Sequence, residues 1–401
     1  MFRFLPLFFI FITTVSLAQS LKTPAESRHF TQYTDPESGI VSYVLKPGRV
    51  QNSEGVASVN QQTFYVTNSC MSANGRYLWF MCYFGMSGST QLAVLDFATD
   101  EVRFFPSATI RFSPMVDQVT GDALYATSQG IYRRPADPTK ETVQICGVPE
   151  ELPKGKVSHL VCHLTMSPDR TKLLLDSRVD DHFLLGTVEI ATGKYTKWAE
   201  FETMRNHAQF NPVREEPVFI CKEYYTEAKT GIRHGIPTGA DGIYERMWLF
   251  TPKDGEKRIA PLIKYATHEA WLPDGSGLYY CDPASKGGII IYDLDSGTQK
   301  QVVPGPCTHA SCNRDASCWV YDQNVGPWFR GCSWTVRFYD TKTRKLVPIV
   351  SVIPAYNDRE HESKIHPDPH PKFVASDRYI ASTFNVDGKM TVLLTPTEQL
   401  G

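Results

Sequence analysis

A phrase that returns seven times constrains this chain more than any other feature. Each copy is an apolar run, a tight turn of the Ser-Pro-Asp-Gly kind, and a second apolar run. Met71-Ser72-Ala73-Asn74-Gly75 precedes RYLWFMC, Met166-Ser167-Pro168-Asp169 precedes KLLLD, and Trp271-Leu272-Pro273-Asp274-Gly275 precedes LYYC. Phe210-Asn211-Pro212 stands before PVFIC in the same way. Hairpin signals follow further on, at DFATDEV (96–102), EIATGKY (189–195), DLDSGTQ (293–299) and YDTKTRK (339–345). No strong helical period interrupts them, so each copy reads as short antiparallel strands joined by tight turns. The copies lie roughly 40 to 60 residues apart, which is the spacing of propeller blades.

The expected fold is therefore all-β, a seven-bladed β-propeller over residues 19–401. The last copy begins near His370 and has room for about three strands, one short of a blade. The segment SGIVSYVLKPG (38–48) is expected to supply the missing outer strand, closing the ring without an exposed sheet edge.

Compartment follows from the first residues. Arg3 supplies a positive charge, Phe4 to Leu17 is almost wholly apolar, and Ser16-Leu17-Ala18 offers small residues at a cleavage point. Residues 1–18 thus read as a signal peptide, shorter than the roughly 20 apolar residues a membrane span needs. A periplasmic or secreted monomer with no membrane span is expected. With 41 Lys+Arg against 43 Asp+Glu there is no basic excess, which argues against nucleic acid as a partner. The ten cysteines include no Cys-x-x-Cys. Cys307, Cys312, Cys318 and Cys332 are close enough in sequence for one or two bridges, whereas Cys82, Cys221 and Cys281 sit where small buried residues fit.

The copies share a histidine register. Counting four residues back from the inner turn gives Asn68, Thr109, His163, His207, His268, His309 and His370. In a propeller this position opens the innermost strand at the mouth of the central channel, so five imidazoles should gather around one axis. The second strand of each blade returns to the same face. Arg178 and Lys222 end two such strands, with Tyr224 and Tyr225 just beyond. A polar insertion at 226–245, carrying Arg233 and His234, either overhangs the site or is an ordinary exposed loop. His366 joins His370 as a candidate ligand; His159 and His361 read as surface residues, and His29 as part of a disordered stretch.

Crowded neutral imidazoles suit a divalent metal, manganese or calcium, or an anionic substrate. A metal with Arg and Lys can neutralise a uronate carboxylate, so that a neutral His can take the adjacent carbon-bound proton. The glycosidic bond then breaks by β-elimination. A glycosidase usually sets two carboxylates across the bond, and Glu269 is the one acidic residue beside the register.

The phrases HAQFNP (207–212), HEAWLPDG (268–275) and HPDPHPKF (366–373) resemble signature stretches of oligogalacturonate lyases, which are seven-bladed propellers. The resemblance implies His207 as base, His268 and His370 as metal ligands, and Arg178 as the arginine serving catalysis. Asp368 replaces the first His of the family's His-Pro-His-Pro. The whole mature chain, including NQQTFYVTNSCMSANGRYLWF (60–80), is similar to gut-bacterial propellers acting on L-rhamnose-α-1,4-D-glucuronate caps of arabinogalactan proteins. That group holds α-L-rhamnosidases, whose single His on the opposite face matches the Asn60-Gln61-Gln62 segment, and lyases. This chain has no His there.

The resemblance implies an exo-acting lyase, with His207 and Arg178 catalytic and Lys222, His163, Tyr224 and Arg233 binding a rhamnose/glucuronate-containing plant glycan. His268, His309, His366 and His370 would hold the metal. An α-L-rhamnosidase and a non-catalytic glycan- or protein-binding ring are the alternatives.

Overall fold

The computed structural model describes residues 20–48, 50–51, 55–84, 90–110, 112–283, 287–325, 332–356 and 367–401. The leader at 1–18, and with it His361 and His366, lies outside these. Seven antiparallel sheets follow one another along the chain and form a seven-bladed propeller. Their innermost strands include Asn60–Gln62, Met115–Val116, Thr165–Met166, Arg205–Gln209, Thr267–Trp271, Ala310–Cys312 and Lys372–Val374. Each blade then steps outward through hairpins, so every second strand returns toward the face where the inner strand began.

Blades are covered on both sides by their neighbours, and this explains the unbroken apolar runs. Leu92, Ala93, Val94 and Leu95 are consecutive and all buried, where a one-sided sheet would alternate. Inner turns also bond across blades. Trp79 Nε1 donates to the Gly121 carbonyl at 2.8 Å, and Trp271 Nε1 to the Gln209 carbonyl at 3.2 Å. Asn211 Nδ2 donates to the Gly275 carbonyl at 2.9 Å. Gly275 sits at φ 68 with Asn211 pressed where a Cβ would point, so the Asp-Gly of this turn needs its glycine.

The last blade closes as the sequence implies. Val41–Leu45 pairs with Lys389–Pro396, Tyr43 opposite Leu394. Ser42 Oγ lies 2.7 Å from Thr395 Oγ1. Phe30–Thr34 adds a fifth strand outside it, beyond the four of an ordinary blade. His29 belongs to this ordered edge, not to a disordered tail: it is buried, with Nε2 3.0 Å from the Asp100 carbonyl. All ten cysteines are free thiols, so the bridges that the spacing of Cys307, Cys312, Cys318 and Cys332 would allow are absent. Among the described residues no helix is long and apolar enough to cross a membrane.

Candidate active site

A cavity of about 740 Å³ opens at one mouth of the channel, and all five register histidines line it: His163, His207, His268, His309 and His370. Three of them, His207, His268 and His370, have φ of 53, 54 and 48, a left-handed conformation uncommon for residues with a side chain. Two of these positions fall within β-bulges, between Asn206 and Gln209 and between Thr267 and Ala270. Bulges re-aim side chains next to functional sites.

The first two blades depart from the register. Asn68 is buried and bonded to the carbonyls of Pro114 and Leu164, and Thr109 belongs to the outer strand Glu101–Ile110 of the first blade. The residue that meets the ring from blade one is Tyr65. Its ring stacks on His163 at 4.0 Å between centroids and meets His370 edge-on at 4.9 Å, with His207 at 5.9 Å and His309 at 6.2 Å. Ser113 of blade two fixes its backbone, Oγ accepting from Tyr65 N at 3.0 Å.

On one side the cavity carries a buried charge cluster. Arg246 Nε donates to Glu269 Oε1 at 2.6 Å, and Arg246 Nη1 to Glu223. Burial alone would favour the neutral guanidine, but the carboxylates of Glu269 and Glu223 outweigh it and hold Arg246 charged. Among the described residues lining the cavity, Arg246 is the only Arg or Lys and Glu223 the only carboxylate. His207 stands beside this cluster and beside His163, ring centroids 4.6 Å apart. Burial first, then His163 and Arg246, push its pKa well below the usual 6.5, so it is a neutral base at pH 7. The same burial, with His309 and Arg246, keeps His268 neutral.

On the other side lies a cluster of metal-ligand chemistry. Ligand atoms of His309, Asp368 and His370 all fall within 4.8 Å of one another, and all three residues are buried. Asp368 Oδ2 is 3.7 Å from His309 Nε2 and 3.9 Å from His370 Nε2. His309 Nε2 has no hydrogen-bond partner among the described residues, while Asp322 holds its Nδ1. That is the arrangement in which a carboxylate orients a ligating imidazole. Asp368, which departs from the lyase motif, is thus a member of the cluster. His268 is adjacent, its ring 4.0 Å from that of His309.

Several residues named from sequence lie elsewhere. Arg178 does not line the cavity: Nε donates to the Asp180 carbonyl at 2.9 Å and Nη2 to the Thr226 carbonyl at 2.5 Å. Lys222 is likewise engaged, 3.0 Å from Glu245 Oε2 and 4.8 Å over the Trp248 ring. Strand ends converge on a face, but both side chains are taken up by local partners outside the cavity lining. Tyr224 does line the cavity, and Arg233 stacks over it at 4.7 Å. Gln62, expected on the opposite face, lines the same cavity as the histidines because blade one enters from that mouth too; Gln61 is buried against Ser58. His159 is buried, not superficial, and burial with nearby Arg178 lowers its pKa to about 4.

No protein-family model matches the chain. Over 234 residues it is 26% identical to the oligogalacturonate lyase of Dickeya dadantii, covering 52% of this chain and 53% of that protein. Over 232 residues it is 25% identical to the oligogalacturonide lyase of Pectobacterium atrosepticum, again 52% and 53%. The chain thus matches about half the length of these relatives. Among solved structures, an oligogalacturonate lyase in complex with manganese superposes with a TM-score of 0.70 at 19% identity, covering 92% of this chain and 96% of that one. An oligogalacturonate lyase from Vibrio parahaemolyticus gives 0.68 at 16% identity, with the same coverage. The likeness in structure establishes a shared propeller fold.

Proposed function

We propose that this chain is an exported polysaccharide lyase that cleaves beside a uronate by β-elimination, with L-rhamnose-α-1,4-D-glucuronate caps of arabinogalactan as substrate. The observation that carries the reading is a neutral, half-buried His207 that lines one cavity with Arg246, His309 and His370, the last two grouped with the buried Asp368. The oligogalacturonate lyase relatives, similar over half the chain, support the lyase part of the reading.

His207 takes the C5 proton of the uronate. The released electron pair forms the C4–C5 double bond, the C4–oxygen bond breaks, and the leaving sugar oxygen gains a proton from water. Arg246, whose charge is already shared between Glu223 and Glu269, contributes guanidinium N–H donors to the uronate carboxylate rather than net positive charge. Hydrolysis by paired carboxylates is disfavoured, because Glu223, the one carboxylate among the described lining residues, is bound to Arg246.

His309, Asp368 and His370, with His268 beside them, would hold a divalent ion. Two imidazoles in three donors suit a first-row ion such as manganese better than calcium, which takes oxygen ligands. Bound there, such an ion would act as a Lewis acid toward the uronate.

The cleaved partner is read as a neutral sugar from the blade-one wall. Gln62, Thr63, Met81, Tyr83, Thr90 and Ile110 face that side without a charge. A second uronate would find no cation there, whereas a deoxy sugar finds amide, hydroxyl and apolar surface. Incubation with gum arabic tests the reading. Ultraviolet absorbance from a new C4–C5 double bond supports a lyase, rhamnose released without it identifies an α-L-rhamnosidase, and neither product leaves a binding protein.

A further inference from the structure

The insertion in blade four, between Val218–Lys222 and Met247–Thr251, rises beside the cavity and leans on the neighbouring blade. Its base is the Glu223–Arg246 pair at the cavity wall. From there Tyr225–Thr226 pairs with Arg233–His234 as a short hairpin. Blade three grips this hairpin through two residues. Arg178 Nη2 donates to the Thr226 carbonyl and Nε to the Asp180 carbonyl, while Asp181 Oδ1 accepts from Ala228 N at 2.6 Å. The Arg178 guanidinium also lies over the Phe183 and Tyr225 rings, at 5.5 and 5.9 Å, and those two rings meet edge-on at 4.9 Å. Tyr225 is stacked in turn on His234 at 4.7 Å.

Tyr224 is the outcome of this bracing. It lines the cavity yet stays 53% exposed, beside a clamped residue, with Arg233 covering one face of its ring. A tyrosine held in place with an open face is a surface for the carbon-bound hydrogens of a pyranose ring, and little freedom is lost when a ring settles on it.

We infer that Tyr224 is a stacking platform for a sugar on the polymer side of the cleaved bond, and that Arg178 is the positioning residue that sets it there through the 225–234 hairpin. The inference rests on the lyase reading for its substrate, and it moves Arg178 from the reacting atoms to the support of an outer subsite. A planar guanidinium is needed, because two carbonyls and two rings are engaged at once.

The test uses the full mature protein and two ligands, the rhamnose–glucuronate disaccharide and a longer arabinogalactan oligosaccharide ending in it. Binding is measured by calorimetry in a His207→Ala background, and turnover in an otherwise native one. The expected result is tighter binding of the longer glycan, with that preference cut about tenfold by Tyr224→Ala, the worth of one aromatic contact. Arg178→Ala and Arg178→Lys should give the same KM increase for the longer glycan, with kcat within about twofold, and the double variant should lose no more than the larger single loss. A kcat for the disaccharide reduced about a hundredfold or more by Arg178→Ala would overturn the inference, since that marks a group acting on the carboxylate itself. So would additive losses in the double variant. Length-dependent binding with the same residue dependence but no cleavage would refute the lyase reading and keep the platform; no preference for the longer glycan would refute the platform alone.

Discussion

Asp322 grips His309 at two points, its carboxylate lying 3.0 Å from the ring Nδ1 and 2.9 Å from the backbone nitrogen. The same carboxylate accepts from His370 N at 3.1 Å, so one buried side chain sets two candidate metal ligands from adjacent blades. Asp176 repeats the device around the base, accepting from Cys162 N at 2.6 Å and Ala208 N at 3.1 Å, the residues beside His163 and His207. Asp322→Ala should therefore weaken manganese binding about 10- to 100-fold, the usual cost of losing such a support. Elemental analysis and manganese titration of untagged protein check this; unchanged affinity would remove Asp322 from the site.

His207→Ala should lower kcat by at least about two decades, the smaller end of what a general base contributes. Its measurement is the rate of double-bond formation, and a variant retaining wild-type turnover would place the base elsewhere.

Acid should destabilise the fold through imidazoles held away from water, His159 buried and His207 and His268 half-buried. Burial holds His207 and His268 well below 6.5 and His159 at about 4, so below about pH 6.5 the unfolded chain takes up protons that the folded one refuses. Asp176 works the other way: burial raises it to about 7, and its contribution is lost as pH rises through that value. Near pH 5 the three histidines outweigh Asp176, so protons are taken up on unfolding. Tm should fall from pH 6.5 to 5, and more steeply in Asp176→Asn, as read by calorimetry across that range.

The Arg246–Glu269 pair is almost wholly buried. Glu269→Ala leaves a buried guanidinium with Glu223 alone and should cost about 3–5 kcal/mol. Denaturant unfolding measures it. A loss below about 1 kcal/mol would mean that the pair is hydrated in solution.

The register of His163, His207, His268, His309 and His370 was legible because each occupies the same place before an inner turn, even though only His207, His268 and His370 share the left-handed backbone. Counting failed for Asn68 and Thr109, since the inner strand Asn60–Gln62 of blade one stops early and Tyr65 follows on irregular backbone. Arg246 stayed hidden for a different reason. It opens an ordinary strand some twenty residues from either acidic partner, and only the sheet brings Glu223 and Glu269 to it. Arg178 and Lys222 show the converse limit: a strand end can be placed from sequence, but the direction of a long cationic side chain depends on which carbonyl or ring happens to be nearest.

The strand that seals the last blade has one more effect, on how the protein is made. Ser42 leaves the ribosome early, whereas its partner Thr395 lies 353 residues further along. Through nearly the whole of synthesis Val41–Leu45 must wait without its neighbour, and the half-made ring carries two unmatched edges, each a template for pairing with another chain. Translation halted anywhere before Lys389–Pro396 thus yields an adhesive arc. Faithful production depends on keeping the earliest segment out of wrong partnerships until the latest one appears.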